Sequence, residues 1–586
     1  MELIQEMTEI LKTAFNKCGV DSSYVQVGYS VKPELADFQC NSVFEVAKKA
    51  NINPVLLAEK IVENIEDNDN FEFSFAKPAF INIRVSNKRL SQELNNRNKE
   101  PLLGIEQDTK PQTIVMDYGG ANVAKELHIG HLRSPLIGEA LARLYRLFGH
   151  KVITDTHLGD YGLQMGLTIA QLEDDGYIDG YFDKTKQNKT ITLDTLNEEY
   201  PKASKRKNVE PEFKTKAETY TLYVQSKKEP YYTIYTDIRN LSIDKIRENY
   251  KDLNCFFDLW YGESTAEPYI NETVDTFIKQ GLARKSEGAL VVDVAVDGEN
   301  IPTDKKDENG NILYKNPMPP MILKKHNGAD MYATSDVATI LQRNRDFNPD
   351  KIIYIVDFRQ GQHFKQVFRA SKLAGISPKD QELIHIAYGT INGKDGKAFK
   401  TREGTTIKLD DIVNMVRSKA SEKLKENGIE GNDTLALQIG VAALKFGDLQ
   451  NMVNKDYVFD LDKFASFEGK TGPYIQYTGA RINSLLQKAN ETPSEINITL
   501  AEEKEIAFAI MKLTDSYKRA LEQNSLHSVA LSLYNLASSF STFYNNVKVN
   551  TAKTEDKKKY LALIQMVHKM LAQGLYVLAI DMPSKM

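Results

Sequence analysis

Apolar residues recur along this chain with two periods, and the places where the period changes mark its organisation. Leu3, Ile4, Met7, Ile10, Leu11 and Phe15 fall on one helical stripe. A second helical pattern runs from Ser42 to Ala50, and period-two alternation predicts strands at Phe71 to Phe75 and Ala79 to Val85. Residues 1–110 therefore read as an α/β module, ending in a polar linker from Asn95 to Pro111. The apolar run Thr113 to Met116 predicts a strand. A helix follows, with Leu132, Leu136, Ile137, Ala140, Leu141, Leu144 and Leu147 at helical spacing and Gly149 as its stop. Lys151 to Thr154 predicts the next strand. From about 175 to 320 the rhythm lapses into charged, tyrosine-rich helical stretches (Glu210 to Asp237) and an Asn309-Gly310-Asn311 turn, which read as an insertion. It returns with a strand at Lys351 to Val356, a helix from about Phe364 to Leu373 closed by Gly375, and a strand at 383–388. Beyond about 456 the pattern is helical: Ile475 to Ala489, Ala501 to Glu522, Val529 to Tyr544 and Asp556 to Val577.

Two strand-helix-strand halves around an insertion predict a split, Rossmann-like parallel sheet over residues 111–455. The fold class is thus multidomain α/β: this central split-sheet domain, the N-terminal α/β module, and an all-α bundle over 456–586. Composition changes little. Hydrophobic content of 41% and charged content of 26% are those of an ordinary globular chain. No run approaches the roughly 18 apolar residues of a membrane span, and the acidic, amphipathic start is not a signal peptide. Cys18, Cys40 and Cys255 lack metal-ligand spacing, so no structural metal site is expected and a reducing cytoplasm is the default. A net charge of -5 neither requires nor excludes a nucleic-acid partner.

The chemistry is densest in Lys125-Glu-Leu-His128-Ile-Gly130-His131, between the first strand and the long helix. Two imidazoles three apart at a helix start point the same way, beside backbone N–H groups that favour an anion, and Gly130 lets a flat ligand approach the backbone. The loop Asp155 to Gln164, punctuated by Gly159 and Gly162, sits where an open α/β sheet binds its ligand. After the last strand, Gly393 to Gly404 gathers cations, including Lys400 and Arg402. Mobile cations there can neutralise charge on a leaving pyrophosphate.

The histidine tetrad resembles the signature of class I aminoacyl-tRNA synthetases, and the whole chain looks like an arginyl-tRNA synthetase of the bacterial monomeric type. Phe399-Lys400-Thr401-Arg402 departs from the usual second signature of the class, as that family's loop commonly does. The resemblance implies ATP, with magnesium as its companion, on His128, Gly130, His131, Tyr388, Gly389, Lys400 and Thr401. Catalysis falls to His128, His131, Lys125, Lys400 and Arg402, Lys125 supplying the charge that the second loop lacks.

A guanidinium is planar and always charged, so carboxylates and amide oxygens arranged as a fork hold it best. The candidates are Asp117, Asn122, Tyr332, Asp336 and Gln360, with Tyr332 and Asp336 four apart on one helical turn. Two carboxylates without a basic counterpart suit a cationic substrate. The expected partners are L-arginine, ATP and tRNA(Arg); activation is expected to need bound tRNA, as the family generally does. In the N-terminal module, Phe38 and Gln39 can stack on and read an unpaired base, although an ordinary helix start capped by Asp37 explains them as well. In the helical region the resemblance singles out Tyr474, Tyr477, Tyr544 and Met586 as tRNA contacts, while core aromatics of a bundle remain the alternative for each tyrosine. A cytoplasmic monomer is expected. The other functions weighed are another class I synthetase, a nucleotidylyltransferase, and a tRNA-binding relative without activity.

Overall fold

The computed structural model describes residues 2–315, 318–326, 331–397, 399, 407–489 and 491–586. The expected sheet is there. Strands β1 (Thr113–Asp117), β2 (Lys151–Asp155), β3 (Lys351–Asp357) and β4 (Glu382–Tyr388) are all parallel, in the spatial order β4-β3-β1-β2. Side chains alternate between its faces. Ile114, Met116, Ile353 and Ile355 pack with Ile137, Leu141 and Leu144 of helix α1 (Arg133–Leu147). Val115, Ile352 and Tyr354 pack on the other face with Val337 and Ile340 of α2 (Tyr332–Phe347) and with Phe364 and Val367 of α3 (Gly361–Leu373). Cover on both faces explains why these strands are continuous apolar runs. The chain leaves β1 and β3 towards opposite edges of the sheet, which opens a crevice beyond their carboxyl ends.

The insertion between β2 and β3 differs from its reading in two respects. The stretch Glu210 to Asp237 is two helices, Pro211–Gln225 and Tyr231–Asp252, broken where Lys227 turns left-handed (φ 54°) ahead of Pro230. It also contains strands that periodicity did not show: Ala283–Ser286, Ala289–Val292 and Met321–Lys324 form an antiparallel sheet, and Ile301–Lys306 pairs with Ile312–Lys315. These strands are short and partly exposed, so no apolar alternation marks them. The Asn309-Gly310-Asn311 turn closes the hairpin, with the Asp307 carboxylate accepting from the N–H groups of Asn309 and Asn311.

In the N-terminal module Val27–Tyr29, Phe38–Cys40, Phe80–Val85 and Phe71–Ala76 form an antiparallel sheet in that order. The stretch Ala36 to Asn41 therefore centres on a strand, Phe38–Cys40, rather than a capped helix start. Phe38 is fully buried, stacked on Tyr29 at 4.8 Å and edge-on to Phe508 of the helical region at 5.8 Å, so it presents no face to a base. Gln39 spends its amide on Asn82 (2.9 Å), and Asp37 accepts from Val85 N–H and from Lys504. The linker also begins later than its polarity implied: helix Asn87–Lys99 runs into it, and Asn95 exchanges two hydrogen bonds with the backbone of Ile496. The four C-terminal helices, Gly472–Lys488, Ala501–Gln523, His527–Asn546 and Thr554–Val577, lie within a few residues of their predicted bounds. No helix among the described residues is long and apolar enough to cross a membrane.

One buried ion pair fastens α1 to the region behind the sheet. Arg133 donates to the Asp448 carboxylate (2.9 Å) and to the carbonyls of Gly389 (2.9 Å) and Lys455 (3.0 Å), and both charged side chains are at most 2% exposed. Removing one partner strands the other charge in a dry interior, which costs about 3–5 kcal/mol. Asp448→Ala is expected to lower the unfolding free energy of this region, read from urea denaturation, by that amount, with a lower midpoint; an unchanged midpoint would contradict the assignment.

Candidate active site

The crevice at the carboxyl ends of β1 and β3 is a cavity of about 580 Å³. Asp117, Asn122, His128, Gly130, His131, Tyr332, Asp336, Gln360 and Tyr388 all line it, brought together from five separate stretches of chain. Ser134, in the first turn of α1, holds the crevice open: its Oγ accepts from Gly119 N–H (2.8 Å) and donates to the Ile355 carbonyl (2.7 Å).

The tetrad forms a single turn of tighter helix, Ile129–His131, leading into α1. Gly130 N–H donates to His128 Nδ1 and His128 N–H donates to His131 Nδ1, each at 3.1 Å. Both Nδ1 atoms are acceptors, so each neutral ring carries its proton on Nε2. Burial, then the charge of Lys125, lowers the His128 pKa; burial, His128 and Lys125 take that of His131 down to about 3. At neutral pH the site thus offers two imidazole N–H donors, their ring centres 4.0 Å apart and their planes tilted by 44°, beside a helix start. A side chain at position 130 would come within 2.8 Å of the His128 ring, which is why glycine stands there.

The opposite end of the cavity is acidic. Tyr332 and Asp336 occupy the first two turns of α2, Tyr332 at the exposed rim. The Asp336 carboxylate meets His363 Nε2 of α3 at 2.5 Å, and Gln360 precedes α3 on the same wall. Glu263, first residue of helix Glu263–Lys279, adds a second acid beside Asp336. Burial raises its pKa to about 7, against the field of His157 and with help from Asp160 and Asp336. Asn122 pairs with Gly159 in a parallel bridge, where any side chain at 159 would strike the Asn122 Oδ1. The loop 155–164 is itself held rigid: Asp160 is buried and accepts from Arg239 (2.6 Å) and from Ser264 N–H (3.0 Å) and Oγ (2.7 Å).

Several expectations change. The acids do not lack basic partners: Arg343 pairs with Asp117, and Arg359 and His363 line the cavity, because a buried carboxylate without a partner is unstable. Lys125 is exposed and lines a different hollow, of about 470 Å³, with Thr192, Lys245 and Lys408. Gly389 faces away from the cavity; its carbonyl binds Arg133, and a side chain there would collide with Lys455 and Asp456. Lys400, Thr401 and Arg402 lie outside the described residues. The chain beyond them is stitched to the tetrad, with Ile129 N–H donating to the Ile407 carbonyl (3.0 Å), Leu409 N–H to Leu127 (2.9 Å), and Lys408 paired with Glu126 (2.7 Å). Sequence reasoning missed His157, Glu263, Tyr354, Arg359 and His363. Only His157 stood in a loop already marked as ligand-binding.

In the helical region Tyr477 is 43% exposed. Tyr474 is half-buried with its hydroxyl against Ser541, and Arg481 lies 4.1 Å over the half-buried Tyr544 ring. Met586 is half-buried against Leu424 and its neighbours.

A family model described as "tRNA synthetases class I (R), catalytic domain" matches residues 90–461, "DALR anticodon binding domain" matches 475–586, and "Arginyl tRNA synthetase N terminal domain" matches 3–85. Proteins named arginine–tRNA ligase from Agathobacter rectalis and Alkaliphilus oremlandii are each 37% identical to this chain, over 610 and 599 residues, covering 100% of both partners. Arginyl-tRNA synthetases of Plasmodium falciparum and Thermus thermophilus share the fold, with TM-scores of 0.80 and 0.79 at 22% and 21% identity, covering 100% of this chain and 99% and 100% of theirs. Full-length kinship joined to a cavity with an imidazole end and an acidic end leads to one assignment: the chain belongs to the arginyl-tRNA synthetase family.

Proposed function

We propose that the protein is an arginine–tRNA ligase, acting as a cytoplasmic monomer. It joins L-arginine to ATP as arginyl adenylate and then transfers arginine to the terminal ribose of tRNA(Arg). The observation that carries this reading is one cavity lined by neutral imidazole donors beside a helix start and by the carboxylates of Asp117 and Asp336, with Glu263 near enough to Asp336 to feel its charge. A guanidinium fits the acidic end, where Tyr332 and Gln360 add polar contacts, and the phosphates fit the imidazole end. Magnesium enters with ATP as part of the substrate.

In the first step an oxygen of the arginine carboxylate attacks the α-phosphorus, the bond to the β-phosphate breaks, and pyrophosphate leaves. In the second, a ribose hydroxyl of the tRNA, the 2′-hydroxyl by the class I rule, attacks the activated carbonyl, and the bond from that carbonyl to the phosphate oxygen breaks to release AMP. No side chain forms a covalent bond. Catalysis is positioning plus charge stabilisation, with His128 and His131 donating through Nε2 to phosphate oxygens. Lys125 acts on that charge through space, and Lys400 and Arg402 share it. Charging of tRNA with labelled arginine tests the reading: arginine is transferred, whereas citrulline, its neutral isostere, is not. Equal transfer of both would refute it.

Losing one donor to developing charge costs on the order of 10²–10³ in turnover. His131→Ala is expected to lower kcat by that factor with arginine KM nearly unchanged; a normal kcat with a raised arginine KM would reverse the role. The Glu263 pKa of about 7 gives a pH signature. Its proton is held below that value and must leave for a guanidinium to bind, so arginine KM rises by up to about tenfold per unit as pH falls below 7 and is flat above it. Glu263→Gln removes the slope; an unchanged profile excludes Glu263 as a ligand. In the helical region, Tyr477→Ala is expected to weaken tRNA binding by about 1–3 kcal/mol, the worth of one stacked base, with arginine activation intact. Unaltered binding would return Tyr477 to a structural role.

A further inference from the structure

Beneath the acidic end lies an arginine that belongs to the protein. Arg343, on α2 two turns beyond Asp336, is 0% exposed. Its Nη2 donates to Asp117 Oδ2 and to Asp155 Oδ2, each at 2.7 Å. Those two aspartates are directly paired at the ends of β1 and β2, so without a cation their like charges would face each other across the ladder. Nη1 and Nε of Arg343 and the Tyr354 hydroxyl, all buried, have no hydrogen-bond partner among the described residues.

A fully buried ion with two unspent donors is an expensive way to stiffen a sheet; hydrophobic side chains of that volume are often as stable or more so. Its position points to another use. Asp155 is wholly buried, but Asp117 lines the substrate cavity together with Asn122 and His128 as well as Asp336. Arginine also presents an α-ammonium, which needs an acid other than the one that holds the guanidinium.

We propose that Arg343 is a positioning residue for the amino-acid substrate: it holds Oδ2 of Asp117, leaving Oδ1 to receive the α-ammonium. The proposal rests on the reading of the cavity as an arginine site. The titratable groups facing Asp117 are Arg343 from α2, Asp155 and His157 from β2 and its loop, and Tyr354 from β3. Burial pushes the Asp117 carboxyl up, and Arg343 is the strongest of the influences that oppose it, followed by His157. Without Arg343 the carboxyl holds its proton to higher pH and attracts an ammonium less. The Asp155 charge reinforces that outcome.

The test, run with tRNA(Arg) present, compares arginine with its analogue lacking the α-amino group, 5-guanidinopentanoate, as a competitor in arginine-dependent exchange of pyrophosphate into ATP. Arg343→Met is expected to raise arginine KM roughly 30-fold or more at about pH 7, the lower end for truncating a buried charge pair, while the analogue's inhibition constant and ATP KM stay as in the wild type. As pH rises, Asp117 ionises and preference for arginine returns. In Asp155→Asn/Arg343→Met that recovery occurs at lower pH, because the second carboxylate is gone. This double variant, which also relieves the unbalanced charge, decides by the same ratio if the single one does not fold. Equal weakening of arginine and analogue, or a loss that pH does not repair, would overturn the proposal and leave Arg343 a structural ion. A wild type that shows no arginine-dependent exchange would instead overturn the functional reading on which it rests.

Discussion

Two carboxylates end up side by side where β1 and β2 finish, and the guanidinium that separates them fixes the geometry around it. Asp117, Asp155 and Arg343 are almost entirely removed from water, so none can shift without stranding a charge. The contact locks α2 against the sheet. Because 336 and 343 lie on one face of that helix, locking Arg343 also sets where Asp336 and Tyr332 stand over the cavity. The cluster of Asp117, Asp155 and His157 has the spacing of a cation site, and the cation it holds is the protein's own arginine.

The rest of the site follows from which end of an element faces the crevice. The positive start of α1 and two neutral imidazoles lie together, with tautomers set by backbone N–H groups rather than by a carboxylate. Keeping those rings uncharged matters because free imidazolium beside Lys125 would repel it, and a neutral N–H donor binds phosphate oxygen at any pH the cell offers. Near Asp336, burial raises the Glu263 pKa to about 7, so a bound cation favours its ionised form. On the proposed reading, one cavity with both imidazole donors and carboxylates would orient amino acid against nucleotide before any bond forms.

Much of this was legible in the residues. Strand and helix bounds of the sheet follow from buried periodicity, which the double cover of a parallel sheet makes strong. The tetrad stood out by its chemistry and spacing, while Asp336, Tyr332 and Gln360 were singled out by resemblance to the family; the fold brings all of them to one cavity. What escaped has physical causes. Phe38 looked like a reader of bases but fills a core shared with Phe508, more than four hundred residues away in sequence, and single-residue chemistry cannot report such packing. Arg343, His363 and Glu263 reach the site by tertiary contact with no local motif around them. The small strands after residue 282 are too short and exposed to alternate visibly. Lys125 was placed by analogy; the fold turns it into the neighbouring hollow, from which it acts through space on both histidines.

The central claim is that this one cavity activates arginine with ATP. Arginine-dependent exchange of labelled pyrophosphate into ATP, run with and without tRNA(Arg), tests it most directly. The account predicts exchange that requires arginine and ATP together and, by the family trait, appears only when the tRNA is bound. Absence of exchange under both conditions, with tRNA still bound by the protein, would contradict it and leave a tRNA-binding relative without synthetase chemistry.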